Sequence, residues 1–467
     1  MATQSDFAAR WAKRLRENVR PAYAVIAELI AEDMKSGRLA GGDRLPPLRR
    51  LSDDLGLNYT TVARGYGEAR RRGLIEAHAG RGTFIRSAIP PRPLRSGGWV
   101  EMTMNLPPEP RDPALLRRLQ DGFATLARRG DPHALLRYQD FGGAPEDRDA
   151  GARWLRRLLP GATADRVLVC PGIQSTLVAL ITMLAAPGEA ICAEAITYPG
   201  LKAITAQLGV RVHPLPLDAE GIDVHAFEAA CRELRPKALY CNPTLQNPTT
   251  MTISPARRAA IADIALRYSV PIIEDDPYGV LPSVSPTPIA AMAPELTYYL
   301  TGLAKCVGAG LRIAYLAAPD VRQTHRAASA LRSMTVMASP LGTALATHWI
   351  DTELADAMLC AIRKESVERQ KLAAKLLPAG TYRTHPEAFH IWLSLPERWN
   401  RVEFASHLGA RGVGVVASHA FCIDTRNPPE AVRICLGGPL DRDGCRHALE
   451  LIHDTLAQSP ALVSTAI

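Results

Sequence analysis

Between Pro90 and Pro113 the chain sets seven prolines in 24 residues, with Gly97-Gly98 among them. Proline fixes φ and offers no N–H, so such a run neither continues a helix nor takes a central place in a sheet. It predicts a semi-extended spacer. The chain is thereby divided into a head, residues 1–88, a linker, 89–113, and a body, 114–467. Its length of 467 residues agrees with more than one compact unit. Charge is divided unevenly as well. Residues 1–90 hold 16 Lys+Arg against 10 Asp+Glu, so +6 of the net +8 lies there. A basic head suggests a polyanionic partner.

Composition excludes several classes. No stretch of about eighteen uncharged apolar residues occurs, and the charged segment Met1 to Arg20 lacks the apolar core of a signal peptide. A cytoplasmic protein with no membrane association is expected. All nine cysteines fall from Cys170 onward and form no C-x-x-C pair, which predicts neither a zinc site nor a disulfide framework. No metal is expected, and the cysteines, Cys306 included, read as buried packing residues.

In the head, Val25, Ile26, Leu29, Ile30 and Met34 recur at helical spacing up to Ser36-Gly37. A second helix carries Leu48, Leu51 and Leu55 and ends at Gly56; a third starts near Asn58 to Thr61 and carries Val62 and Tyr66. Two short helices joined by a tight glycine turn form a helix-turn-helix. Leu74 to Ala77 and Thr83 to Ile85 then bracket Ala79-Gly80-Arg81-Gly82 as a hairpin with a basic tip. From Gly42-Asp43-Arg44-Leu45-Pro46-Pro47 to Gly80-Arg81-Gly82-Thr83-Phe84 the order resembles the GntR-type winged helix-turn-helix, although Pro47 stands where that family often has a hydroxyl residue. The resemblance implies a double-stranded DNA operator as partner. Tyr59, Thr60, Thr61 and Arg64 would face base edges from the start of the recognition helix. Arg49 and Arg81 would meet phosphates. Arg70-Arg71-Arg72 reads as a solvated helix face.

The body alternates helical patterns with short apolar runs: 167–169, 190–193, 238–241, 270–274, 296–301 and 313–317. Such alternation predicts an α/β unit with a mostly parallel sheet covered by helices on both faces. After a helical stretch over 322–377, the runs 389–395 and 413–416 predict a smaller α+β subdomain.

Lys305 carries the chemistry. It follows the strand-like run 296–301, precedes Arg312 by seven positions, and is one of only eight lysines against 47 arginines. An accessible, partly desolvated amine so placed is suited to condense with an aldehyde cofactor. The Arg312 guanidinium can hold two phosphate oxygens at once. Gly172-Ile173-Gln174 follows a strand and opens a helix, where free N–H groups favour an anion.

These segments, with Ile196-Thr197-Tyr198-Pro199-Gly200, Gln246-Asn247-Pro248-Thr249, Glu274-Asp275-Asp276-Pro277-Tyr278 and Ala431-Val432-Arg433-Ile434, stand in an order that resembles the fold type I aminotransferases, which hold pyridoxal 5'-phosphate. The resemblance runs from near residue 100 to the C-terminus. It implies a Schiff base at Lys305 and a phosphate held by Gly172, Ile173, Gln174 and Arg312. Tyr198 would stack on the ring, Asp275 would keep the pyridine nitrogen protonated, and Asn247 and Tyr278 would meet the phenolate oxygen. Arg433 would take an effector carboxylate, and Tyr138 would reach the cofactor phosphate of a partner subunit. Two positions depart from the pattern: Gly302 replaces a hydroxyl residue, and Thr250 a glycine.

A GntR-like head joined through such a linker to an aminotransferase-like body resembles the MocR group of bacterial regulators. That implies a homodimeric regulator of a metabolic operon. It would sense pyridoxal phosphate, or an amine or amino acid, through an aldimine at Lys305. The alternative is an active aminotransferase carrying a DNA-binding head. A third possibility, prompted by Gly302, is an empty scaffold that only dimerises.

Overall fold

The computed structural model describes residues 4–18, 20–36, 38–39, 43–78, 82–85, 100–128 and 132–458. It divides into two compact units, Met1–Gly97 and Gly98–Ile467.

The first unit contains α1 (Gln4–Arg16), α2 (Ala22–Lys35), α3 (Leu48–Leu55), α4 (Tyr59–Arg71) and an antiparallel pair, β1 (Ile75–His78) and β2 (Gly82–Ile85). Gly56 ends α3 at φ 62°, a left-handed conformation that favours glycine. The Asn58 side chain then caps α4 by accepting from the Thr60 N–H. Helices α2 and α4 pack where Gly65 has no side chain; a Cβ there would lie 2.9 Å from Ile26 Cβ. Around this contact Trp11, Ile26, Ile30, Leu51, Val62 and Ile85 form the core. Helix α1 was not foreseen in the sequence. It is anchored through Trp11, whose Nε1 donates to Asp33 Oδ2 at 2.9 Å. Arg10 and Arg38 flank the same buried carboxylate.

In the second unit, β3 (Val100–Glu101) precedes α5 (Pro113–Arg128), α6 (Pro145–Leu155), β4 (Val167–Cys170), α7 (Ile173–Leu184), β5 (Ala190–Glu194), α8 (Pro199–Leu208) and β6 (Arg211–Leu215). A small hairpin, β7 (Leu217–Asp218) and β8 (Gly221–Ile222), leads to α9 (Val224–Leu234), β9 (Leu239–Cys241), α10 (Pro255–Tyr268), β10 (Ile272–Asp275), β11 (Thr297–Gly302) and β12 (Ala314–Ala317). The seven-stranded sheet has the order β4-β12-β11-β10-β9-β5-β6. Only β12 runs antiparallel to its neighbours. Strands β4, β9, β10, β11 and β12 are buried throughout, as expected of a sheet covered on both faces.

The remaining helices are α11 (Val321–Thr335), α12 (Pro340–Asp351) and α13 (Leu354–Leu376), so the single helical stretch read from the sequence is three. The subdomain follows: β13 (Tyr382–Arg383), β14 (His390–Ser394), α14 (Arg401–Ala410), β15 (Val413–Gly414), β16 (Val416–Ala417), β17 (Ala431–Cys435) and α15 (Arg442–Ala457). Its sheet is β13-β14-β17-β16, while β15 pairs in parallel with β3.

That last pairing corrects the expected linker, because residues 100–112 are part of the second unit and not a spacer. Met102 is fully buried in the subdomain core, a burial that contributes about 1.5–3 kcal/mol. The prolines there serve packed extended chain and a helix start. The Pro107 carbonyl accepts from the Gly438 N–H at 3.0 Å, and Pro113 opens α5 behind an Asp112 carboxylate that accepts two backbone N–H groups.

Candidate functional site

A cavity of about 250 Å³ opens at the C-terminal ends of β4, β5, β9, β10 and β11, where ligands bind in open α/β sheets. Its wall includes Gly172, Ile173, Gln174, Tyr198, Asn247, Asp275, Tyr278, Lys305 and Arg312. These residues, scattered over the sequence, are brought together because each follows or ends a strand of one sheet.

One end of the cavity is suited to an anion. Helix α7 begins at Gly172, at φ 97°, with no side-chain cap, so its first-turn N–H groups face outward. A Cβ at Gly172 would stand 2.9 Å from Arg312 Nη2, so the glycine lets the guanidinium lie against the helix start. Arg312 is exposed and makes no side-chain hydrogen bond or ion pair among the described residues. Thr301 does not substitute for the missing hydroxyl at Gly302, because its Oγ1 donates to the Asp276 carbonyl at 2.9 Å.

At the opposite end Asp275 is buried. Its Oδ2 accepts from the Tyr240 hydroxyl at 2.7 Å, while Oδ1 is buried with no partner. Burial raises its pKa to about 7; the Tyr240 hydrogen bond and the Lys305 charge oppose the shift, and Asp276 adds to it. An orphaned buried carboxylate oxygen lacks a cation or a donor. The protonated ring nitrogen of pyridoxal phosphate is such a donor, and together with the anion cradle this makes the residues present fit that cofactor. Neither neighbouring carboxylate lines the cavity, although Asp276 also keeps one buried oxygen, Oδ1, without a partner. Glu274 accepts from the N–H groups of Ile289 and Ala290, and Asp276 Oδ2 from the Tyr299 hydroxyl.

Lys305 is half-buried, and desolvation lowers its pKa to about 8, with Arg433 and Arg312 adding to the effect and Cys435 and Asp275 opposing it. Its Nζ donates to the Asn105 carbonyl. Arg433 Nη1 donates to Asn247 Oδ1 at 2.7 Å, and Nη2 to the Thr103 carbonyl. The Tyr278 hydroxyl accepts from Asn105 Nδ2 at 2.8 Å. Tyr198 lies over Gly200, where a Cβ would fall 2.2 Å from its Cε1. Tyr138 stands apart: it is 77 % exposed and does not line the cavity.

Four contributors carry no signal of their own in the sequence pattern. Tyr240 holds Asp275. Asn242 lines the cavity, donating from Nδ2 to the Asp275 carbonyl and accepting the Asn247 N–H at 2.8 Å. Both sit in or beside the run 238–241, whose apolar pattern drew attention away from its polar members. Thr103 and Asn105 were hidden by the proline-rich composition around them. Cys306, next to the lysine, is buried with its thiol pushed up to about 12 by desolvation. Among the described residues no cluster of His, Cys, Asp and Glu is placed to hold a metal ion.

In the first unit, Tyr59 is 47 % exposed at the start of α4, and Thr60, Arg64 and Arg49 are exposed too. Thr60 Oγ1 is committed to Asn58 Oδ1 at 3.0 Å, and the Arg64 guanidinium lies 4.5 Å from the Tyr23 ring centroid. Thr61 is half-buried. Arg71 and Arg72 pair with Glu68 on their own helix face. Arg81 lies outside the described residues. No helix among the described residues is long and apolar enough to cross a membrane.

Residues 99–452 match the family described as aminotransferase class I and II, and residues 22–85 match the bacterial regulatory proteins of the gntR family. The HTH-type transcriptional regulator YdeF of Bacillus subtilis is 28% identical, covering 96% of this chain and 96% of its own. The vitamin B6 salvage pathway transcriptional repressor PtsJ of Salmonella typhimurium is 28% identical over 62% of this chain and 66% of its own. Among solved structures, Pyrococcus horikoshii kynurenine aminotransferase shares the fold with a TM-score of 0.70 at 22% identity, covering 78% of this chain and 91% of that one.

Proposed function

Because the chain belongs to the aminotransferase class I and II family and carries a gntR-family head, we propose that it is a transcription regulator of a metabolic operon that senses pyridoxal 5'-phosphate, or an amine or amino acid acting on it, at Lys305. Pyridoxal 5'-phosphate is the cofactor of this fold. When bound, it supplies an aldehyde for which Lys305 and an incoming amine compete, and a ring that withdraws electrons.

The chain's own residues do the rest. Gly172, Ile173, Gln174 and Arg312 hold the phosphate, Tyr198 covers the ring, and Asp275 Oδ1 takes the ring N–H. The amide of Asn247 and the hydroxyl of Tyr278 serve the phenolate oxygen. Lys305 with its pKa near 8 keeps a useful fraction of neutral amine at physiological pH. Arg433 offers two-point binding to an effector carboxylate. In the head, Tyr59, Thr60, Thr61 and Arg64 read bases, while Arg49 and Arg81 meet phosphates. A regulator acts where its DNA is, in the cytoplasm. The reading includes a homodimer, supported by the exposed apolar side chains Phe123, Leu136 and Tyr138, with two heads on a two-half-site operator. In that dimer Tyr138 serves the neighbouring cofactor phosphate.

One observation carries this reading: exposed polar residues at the start of a recognition helix occur in the same chain as a cavity with Lys305, Asp275 and Arg312 around it. The second reading, an active aminotransferase, is favoured by Lys305, Asp275 and Arg433 all being present. One experiment separates them. Amino acids are added to the protein loaded with pyridoxal phosphate, and visible absorbance, keto-acid release and binding to a DNA site selected from random sequence are followed together. Spectral change with altered DNA affinity and no sustained keto acid is expected. Sustained release with unchanged DNA affinity selects the enzyme. No visible absorbance with pyridoxal phosphate, together with a Lys305→Ala variant that behaves as wild type, removes both.

A further inference from the structure

Two cations at the site, Lys305 in the cavity wall and Arg433 outside it, are already engaged by the chain itself, whereas Arg312 in the wall is not among the described residues. Residues 100–108 run across the site as a strap. The Thr103 carbonyl takes Arg433 Nη2 and the Asn105 carbonyl takes Lys305 Nζ. The strap is held by β3 pairing with β15, by Met102 O accepting from the Cys435 N–H at 3.0 Å, and by Asn105 Nδ2 donating to the Tyr278 hydroxyl at 2.8 Å. It lies directly on Gly437, where a Cβ would stand 1.7 Å from the Leu106 carbonyl oxygen. Its alternate side chains Met104 and Leu106 line the cavity.

This arrangement has an energetic asymmetry. A neutral carbonyl satisfies only part of what a guanidinium can bind, and Arg433 Nε remains buried without a partner. A carboxylate gains a charge-assisted, two-point interaction that the Thr103 carbonyl cannot match. The exchange becomes favourable once the strap's other contacts are weak enough to yield. Asn105 is the residue that sets that threshold: it is 6 % exposed, and its Oδ1 is buried without a partner.

We propose that residues 103–105 act as a built-in competitor for the effector, with Asn105 as the positioning residue, so that a carboxylate binds Arg433 by displacing the Thr103 carbonyl and releasing the strap. The favoured effector is a carboxylate with an apolar side chain, since Ile173, Ala304, Ala309 and Ile313, none of them on the strap, line the cavity. The strap is where the chain coming from the head enters the second unit. The proposal rests on the reading of Arg433 as a carboxylate site.

The test is calorimetric titration of full-length protein, loaded with pyridoxal phosphate, with 3-methylbutanoate, an apolar carboxylate that has no amine. Wild type binds it, and Arg433→Leu weakens binding by about tenfold or more, the loss expected for a charged hydrogen-bonded contact. Asn105→Ala binds about fivefold more tightly, because a strap that has lost one buried hydrogen bond yields more easily. An Asn105 with a purely structural role gives the opposite sign, and equal or weaker binding by Asn105→Ala overturns the proposal while leaving the Arg433 reading intact. Absence of binding by wild type removes both. Should Asn105→Ala not fold, hydrogen exchange on wild type decides the point. The carboxylate must speed exchange at the Thr103, Leu106 and Cys435 amides, and unchanged or slower exchange overturns the strap.

Discussion

At Lys305, removal from water lowers the pKa from 10.5 to about 8, outweighing the opposing charge of Asp275. Because the shift is downward, the neutral nucleophilic amine dominates above about pH 8 and is scarce below pH 7. The rate at which protein freed of cofactor captures pyridoxal phosphate is therefore expected to rise from pH 6.5 and to level off near pH 9. Stopped-flow absorbance measures this; a rate still climbing at pH 10 would mean that the lysine is solvated. Asp275 illustrates the same local logic. Neighbours in a strand alternate between its two faces, so Glu274 and Asp276 turn to other partners while Asp275 lines the cavity. The spacing to Tyr278 singles out Asp275 in the sequence. The hydroxyl that holds it, Tyr240, lies 35 positions away and leaves no local trace.

Helices and strands were the more readable scale where local chemistry closes on itself. Gly56 and Asn58 mark the turn between α3 and α4, and both act as the sequence implies. Asn58→Ala removes the cap of α4 and is expected to cost the first unit about 1 kcal/mol, read as a lower denaturant midpoint for that unit's transition. It also loosens the turn that carries Tyr59 and Thr60, so DNA affinity should fall with it. Arg49→Ala is expected to act differently, weakening DNA binding at all sequences and reducing the slope of log K against log salt by about 0.9. Strand β6 was overlooked because Pro214 interrupts its pattern; it lies at the edge of the sheet, where a missing N–H is tolerated. Proline density also misled at β3 and the strap, since prolines suit packed extended chain as well as a spacer.

For the whole molecule, two compact units with separate cores imply two unfolding transitions in scanning calorimetry. Pyridoxal phosphate is expected to raise chiefly the transition of the larger unit, and DNA chiefly that of the smaller, each by mass action on the folded state it binds. Lys305→Ala should remove most of the first shift; a single transition moved by both ligands would contradict the independence of the cores. The sequence by itself determined the head, the α/β body and the order of the cofactor segments. Caps, turns and strand ends are local, and the residues at one edge of a parallel sheet follow its strands at readable spacings. Tertiary structure alone decided what those groups touch. That the carbonyls of Thr103 and Asn105 meet Arg433 and Lys305 depends on contacts across 330 and 200 positions of chain. Backbone carbonyls are the same in every residue, so no side-chain pattern could have announced that the chain's own carbonyls engage these two cations.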